Sequence, residues 1–471
     1  MVLWLVLLPV VAGFALFCLP KGDRTVAKAT GCIIAAATFG LALASNGQAV
    51  TGHWLSRPFT AAFHFSNDGI GFWIVLLLAL CTFCAILATN VPRMRSFIAW
   101  MLLLEGAMMG VFLARDLLLF ALFWDAMLLP VFWVLVGWGE HPAAAWRYLI
   151  YNFAGGLTLL LATAAFGVAF GSTDVIGRAG LPHLGNLWQP WIFGGFAFAF
   201  LVKTPVWPFH TWMPPTYAAT PPPMVSVVSG VQSKAGLYGF IAIGLTLLPE
   251  SMHAAATAMV WLGLVSLLYG ACVALVQTDG KRIVAYSSLS HLGLILLAIF
   301  SFNPLALRGA LIYIVAHGLF SAALFLILGY IEEREETRSL LRLGGLALNN
   351  PRVAGAFTIA ALAALGLPGL AGFAGELVIL TGLFQSGYFW VALIALVPIV
   401  IASAYMLRLF QNMMNGPAIA DLPVRSDLTW IEGLAVAPLL LATLLVGIDP
   451  HALTTFDESP YASSAAPGAQ P

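Results

Sequence analysis

Long apolar runs repeat along the whole chain, each closed by a short polar stretch. A helix that crosses a bilayer needs about 20 apolar residues. On that measure the pattern predicts fourteen segments, at roughly 1–19, 28–46, 69–91, 96–114, 116–137, 147–170, 190–211, 224–247, 253–276, 282–302, 304–330, 353–385, 388–412 and 429–448. The runs are too continuous for the alternating strands of a membrane barrel. The expected fold is all-α and polytopic, with one transmembrane domain over 1–448. A short tail follows at 449–471, and its small polar end, SSAAPGAQP, reads as disordered.

Two segments carry internal breakers. The seventh has Pro205 and Pro208 just after Lys203, and the twelfth reads GLPGLAGFAGE over 366–376. Proline removes an intrahelical hydrogen bond, and glycine lowers the cost of unusual dihedrals. In a membrane such breaks are tolerated only against protein or water. Broken helices at corresponding places in two halves point to an inverted repeat with a transport site between them. The two five-helix units are then segments 4–8 (about 96–247) and 9–13 (about 253–412).

The charges between segments set an orientation. One set of alternate loops holds Lys21, Arg24, Lys28, Arg93, Arg95, Arg147, Lys281, Arg282, Arg334, Arg338, Arg342, Arg352, Arg408 and Arg425; the other holds only Arg57, Arg115, Arg178 and Arg308. The positive-inside rule places the first set in the cytoplasm of a bacterial plasma membrane and both termini outside. The first run, without a basic n-region or cleavage site, reads as a retained helix rather than a signal peptide. The longest hydrophilic stretch, 331–352, reads as a short cytoplasmic helix and turn, serving as a connector or a docking surface.

Composition agrees. Of 471 residues 61% are hydrophobic and 8% charged, and the mean hydropathy is +0.95. A soluble domain carries about 25% charged residues. The net charge is zero, so no nucleic-acid partner is expected. Cys81 and Cys84 form a CxxC spacing inside a helix without a second ligand pair, and read as small packing residues. The histidines lack metal-ligand spacing, and no Ser-His-Asp arrangement is legible.

The chemistry lies in ionisable residues set within apolar runs: Glu105, Asp125, Lys203, Lys234, His291, His317 and Glu376. Each charge there costs about 2.5–3.5 kcal/mol on insertion scales. Acids and histidines give and take protons. Burial disfavours the charged form of a lysine and a nearby carboxylate favours it, so opening and closing such a pair loads or releases a proton. Each residue also has a plainer reading. Glu105 and Asp125 serve as structural acceptors, Asp125 with Lys203 as a static ion pair, and His291 and His317 as satisfied core histidines. His210, near Pro208, reads as interfacial.

The motifs carry a resemblance. VKTPVWPFHTWMP, the proline-rich turn after it and SKAGLYG are similar to signatures of the antiporter-like subunit family. QTDGKRIVAYSSLSHLG resembles the family's Q-x-D-x-K-R-x-x-A-Y-S-S-x-S-H-x-G, and AHGLFSAALF and GLPGLAGFAGE match later signatures. DLLLFALFWDAMLLPVFWVLVGWG resembles the corresponding stretch of the subunit M family of NADH-quinone oxidoreductase, respiratory complex I. The resemblance covers roughly residues 70–415. Related families serve multisubunit cation/proton antiporters and membrane-bound hydrogenases, which are the alternative readings; a scaffold that has lost transport is a third.

The resemblance implies a proton-translocating membrane subunit. NADH oxidation and quinone reduction, with FMN and iron–sulfur clusters, are then expected in partner subunits, and none of these cofactors in this chain. The expected partners are the other membrane subunits, antiporter-like neighbours among them, and the lipid bilayer. By resemblance Lys203 is the input-side lysine, Lys234 the central lysine, His291 and His317 links in a buried polar axis, Glu376 the terminal acid and Glu105 an auxiliary glutamate. Two positions depart from the family. Asp125 stands where it has glutamate, retracting the carboxylate by one methylene, about 1.5 Å. Pro215 stands where it has an acid.

Overall fold

In the computed structural model, residues 1–18, 24–176, 188–417 and 426–454 are described. The expected tail beyond 454, and the loop residues Lys21, Arg178 and Arg425, lie outside them.

Helices dominate. The first seven are α1 (Val2–Cys18), α2 (Arg24–Ala44), α3 (Gly69–Ala88), α4 (Met94–Leu113), α5 (Leu117–Ala126), α6 (Leu128–Trp138) and α7 (Pro142–Phe170). Broken stretches follow: α8 (Gln189–Lys203), α9 (Met213–Ala219), α10 (Pro222–Gly230), α11 (Ala235–Gly239) and α12 (Leu245–Leu247). The long helices α13 (Pro249–Val276), α14 (Gly280–Phe300) and α15 (Pro304–Glu335) come next. Last are α16 (Leu346–Asn349), α17 (Pro351–Ala364), α18 (Ala371–Gln385), α19 (Phe389–Phe410) and α20 (Trp430–Ile448). Among the described residues ten helices, counting α5 with α6 as one, are long and apolar enough to cross a membrane.

The expectation of an all-α fold needs one correction. Gln48–Leu55 and Ala61–Asn67 form a two-stranded antiparallel sheet between α2 and α3. Its strands, QAVTGHWL and AAFHFSN, fall outside any spanning run, and their aromatic and β-branched residues suit a strand. A second difference concerns 331–352. Its first residues continue α15 to Glu335, and only α16 forms a separate short helix.

Alpha-15 is the axis of the bundle. It packs against α10, α14, α17, α18 and α20, and its apolar stretch is wholly buried. Outer helices turn apolar side chains outward, Trp430 at 79% exposure and Trp390 at 71% among them. Such faces suit lipid, because a bilayer solvates them as an apolar core does.

Breaks fall where proline and glycine forbid regular helix. Alpha-8 stops at Lys203, and the chain refolds across 204–212, where the Trp212 indole donates to the Val202 carbonyl at 3.0 Å. Between α17 and α18 the chain turns at Gly366, whose φ of +77° an L side chain rarely adopts. A further break was not legible. After α10 the backbone departs from helix at Val231, forms a 3₁₀ turn at Gln232–Lys234, and later a π segment at Phe240–Gly244.

Candidate functional site

Lys234 occupies that 3₁₀ turn, fully buried, and its ammonium donates to the Ser229 carbonyl. Ser229 Oγ lies 2.7 Å from Ser321 Oγ on α15 and 3.5 Å from Ser288 Oγ on α14. Lys234 is near enough to His317 and His291 to act on both electrostatically.

The two histidines sit on neighbouring buried helices with ring centroids 5.5 Å apart. Neither ring nitrogen of His317 has a partner. His291 is fully engaged. Its Nε2 is 3.0 Å from Ser287 Oγ, and its Nδ1 meets the Tyr313 hydroxyl and lies 3.8 Å from Glu376 Oε1. Tyr313 donates to Glu376 Oε1 at 2.5 Å, and Tyr405 donates to Ser287 Oγ at 2.8 Å.

These bonds fix a proton order. A phenol has one hydrogen, and that of Tyr313 goes to Glu376, so His291 Nδ1 must be the donor toward Tyr313. The Ser287 hydroxyl, receiving from Tyr405, donates in turn to His291 Nε2. The result is one directed line: Tyr405, Ser287, His291, Tyr313, Glu376. Glu376 reaches the break before its helix. Its Oε2 occupies the space that a Cβ at Gly366 would need, so the break makes room for the carboxylate.

Lys203 and Asp125 form a second locus. Lys203 is buried, its Nζ lacks a hydrogen-bond partner and stands 5.2 Å from the Trp124 ring centroid. Asp125, at the end of α5, also leaves Oδ1 without a partner. The two groups interact electrostatically but make no direct hydrogen bond. The carboxylate instead lies over α7, where a Cβ at Gly156 would strike it, and borders a cavity of about 380 Å³ lined by Leu122, Leu129, Leu149 and Phe153. The loci touch through neighbours: Thr204 Oγ1, beside Lys203, donates to the carbonyl of Ser233, beside Lys234, at 3.3 Å.

Glu105 stands apart. It is wholly buried in α4, and neither carboxylate oxygen has a partner. His210, read as interfacial, is buried, with its ring centroid 5.1 Å from that of Tyr269. Cys81 and Cys84 are buried side chains of α3. The groups missed by sequence reasoning are Tyr313, Tyr405, Ser287, Ser229 and Ser321.

On one face of the bundle, polar residues from distant parts of the chain form a clasp. Arg338 donates to Glu140, to Asp279 Oδ2 at 2.6 Å, to Glu332 Oε1 at 3.0 Å and to the Ala218 carbonyl at 3.1 Å. Its half-buried position disfavours the charge, but the bonds from Glu140 and Asp279 outweigh this and hold its pKa above the ordinary guanidinium value. Lys281 pairs with Glu332 at 2.6 Å. The motif residues Asp279 and Lys281 therefore serve this clasp.

A family model described as NADH:quinone oxidoreductase/Mrp antiporter, TM, matches residues 114–402. The chain belongs to this family. NADH-quinone oxidoreductase subunit M of Rhodobacter capsulatus is 36% identical over 77% of this chain and 73% of its own length. The subunit M of Mycobacterium tuberculosis (strain ATCC 25618 / H37Rv) is 31% identical over 95% and 90%. Among solved structures, a chain of respiratory complex I from Thermus thermophilus with bound NADH superposes with a TM-score of 0.89, at 31% identity and 99% coverage of both chains. A chain of the Mrp complex from Dietzia sp. DQ12-45-1b shares the fold (TM-score 0.83, 21% identity). This antiporter-family chain is thus a multi-pass membrane subunit of the NADH-quinone oxidoreductase kind, working among other membrane subunits.

Proposed function

We propose that this chain moves protons across a bacterial plasma membrane, driven by NADH oxidation and quinone reduction in partner subunits. The observation that supports this most is the buried polar line from Lys234 past His317 and His291 to Tyr313 and Glu376. Moving one charge against the membrane potential costs about 2.3 kcal/mol per 100 mV.

The architecture is two inverted units, about 96–247 and 253–412, within fourteen crossings. In each unit the fourth of five segments is broken, at 204–212 and 365–370. Each break carries an ionisable group, Lys203 just before the first and Glu376 just after the second. The face of Arg338 and Lys281 is cytoplasmic and both termini lie outside, as the loop charges indicate. The cofactors of electron transfer reside in partner subunits.

Asp125 rests over Gly156, away from Lys203. Its closure onto Lys203 alters the field at Lys234 through the Thr204–Ser233 contact and sets when Lys234 releases its proton. The proton passes by His317 to His291. His291 gives its Nδ1 hydrogen to Tyr313, Tyr313 gives its own to Glu376, and Glu376 discharges outward. Glu105, set apart from this route in α4, supplies an auxiliary acid.

The test is proton pumping by the whole complex in vesicles. Lys234→Ala or Glu376→Gln should abolish the share carried by this chain while NADH oxidation continues. Unchanged pumping in both would refute the assignment.

A further inference from the structure

Lys234 is wholly buried, and in the proposed orientation the proton that loads it comes from the face of Arg338 and Lys281. On that face a cavity of about 210 Å³ opens between the ends of α3, α10 and α15. Asn90, Glu332, Glu333, Pro222, Pro223 and Tyr330 line it. Asn90 and Glu333 are exposed, whereas Pro223 and Tyr330 are buried, so the acidic end faces outward.

The two acids differ. Glu332 is neutralised by Lys281 and Arg338. Glu333 Oε1 accepts from Asn90 Nδ2 at 2.6 Å, and Lys28 of α2 is near enough to act on Glu333 electrostatically without pairing with it. A second, independent feature marks the cavity: Tyr330, 4% exposed, has no partner for its hydroxyl. A buried phenol without a partner is destabilising, and a water held in a polar pocket supplies one.

A column of hydroxyls begins where the cavity ends. Ser226 Oγ donates at 2.8 Å to the carbonyl of Pro223, a cavity residue. Ser226 and Ser229 follow at i and i+3 on α10, and beyond the break at Val231 the Ser233 hydroxyl donates to the Ser229 carbonyl at 2.9 Å. Ser321 joins them at 2.7 Å from Ser229, and Lys234 bonds the Ser229 carbonyl. All five side chains are buried. Lys234 lies twelve residues beyond Pro222, about 18 Å at the helical rise, or just over half of a bilayer core.

We propose that this cavity is the proton-uptake mouth of the chain, in which Glu333 collects protons and Tyr330, Ser226, Ser229 and Ser321 pass them to Lys234. It rests on the reading of Lys234 as a proton carrier. The Glu333 carboxylate takes a proton from water. Ser229 and Ser321 share one hydrogen bond; waters carry the proton across the other gaps, and each hydroxyl or water accepts one proton and releases its own, so none changes charge. The neutral Lys234 amine ends as ammonium, and Glu333 returns to carboxylate. An acidic mouth also concentrates cations locally, which raises their arrival rate.

The test uses the whole NADH-quinone oxidoreductase complex in vesicles and follows initial proton uptake per NADH oxidised against pH. Glu333→Gln should lower uptake at least about threefold at about pH 8.5, where protons are scarce, and little at about pH 6, in line with loss of charge focusing. Glu333→Asp should recover most of the loss, and Glu336→Gln, at a neighbouring acid, should match the unmodified complex. Ser321→Ala should slow uptake at every pH. If Glu333→Gln and Ser321→Ala both follow the unmodified profile while Lys234→Ala stops pumping, protons enter elsewhere and only the mouth is overturned. If Lys234→Ala itself pumps normally, the reading of Lys234 falls and the column falls with it.

Discussion

Tyr313 donates its hydroxyl hydrogen to Glu376 across 2.5 Å, and so stands between that acid and His291. A tyrosine that bridges an acid and a histidine is a relay, because its oxygen can accept one proton as it gives up another. Tyr313→Phe keeps the ring and removes only that oxygen. It leaves buried Glu376 and His291 each short of a bond, at about 1–3 kcal/mol apiece. The expected outcome is an assembled complex whose proton-to-electron ratio falls by the share of this chain. Pumping in vesicles with NADH oxidation measured alongside checks it, and an unaltered ratio would show that the proton bypasses Tyr313.

Asp125 and Lys203 do not bond directly, and Gly156 supplies the space in which the carboxylate lies. Asp125→Glu extends the carboxylate by about 1.5 Å and is expected to favour closure, raising the proton-to-electron ratio against a large membrane potential. Gly156→Ala places a methyl group against the carboxylate and is expected to impair pumping. In the Asp125→Ala background the same methyl should cost nothing further, because neighbours that act through one contact are not additive. Additive losses would mean that Gly156 acts through general packing of α7.

Arg338 joins Glu140 and Ala218 to Asp279 and Glu332. Arg338→Ala leaves three acids facing one lysine. The partly exposed clasp should cost less than the roughly 3–5 kcal/mol of breaking a buried pair. A fall of several degrees in the midpoint of thermal dissociation of the complex is expected, partly restored by Arg338→Lys. A midpoint equal to that of the unmodified complex would show that the clasp carries no stability.

Asp116 caps α5 through the Leu118 and Leu119 amides, at 2.8 and 3.1 Å, and also accepts from the Ala62 amide and the Thr173 hydroxyl. It therefore ties the hairpin and the chain near 173 to the helix that ends in Asp125. Asp116→Ala is expected to cost about 1–2 kcal/mol, as loss of a helix cap does, and to speed hydrogen exchange of the hairpin amides. Unchanged exchange there would place the hairpin's anchorage elsewhere.

Much of the candidate site was legible because a charge within an apolar run is costly. Lys203, Lys234, His291, His317 and Glu376 announced themselves that way, and the prolines and glycines beside Lys203 and Glu376 marked two of the breaks. Tyr313, Tyr405 and the serines did not, since tyrosine and serine sit in spanning helices at little cost and only their partners reveal them. The break at Val231 has no proline to mark it. The resting place of Asp125 depends on Gly156, a contact between two helices that no local pattern encodes. The hairpin was obscured by its position between two spanning runs.

On the proposed route Glu376 is protonated and deprotonated through Tyr313 during turnover. Infrared difference spectroscopy of the whole complex under NADH-driven turnover tests it most directly. A protonated carboxyl band should appear and decay with each cycle, vanish in Glu376→Gln and slow in Tyr313→Phe. A spectrum identical with and without the Glu376 carboxyl would contradict the account.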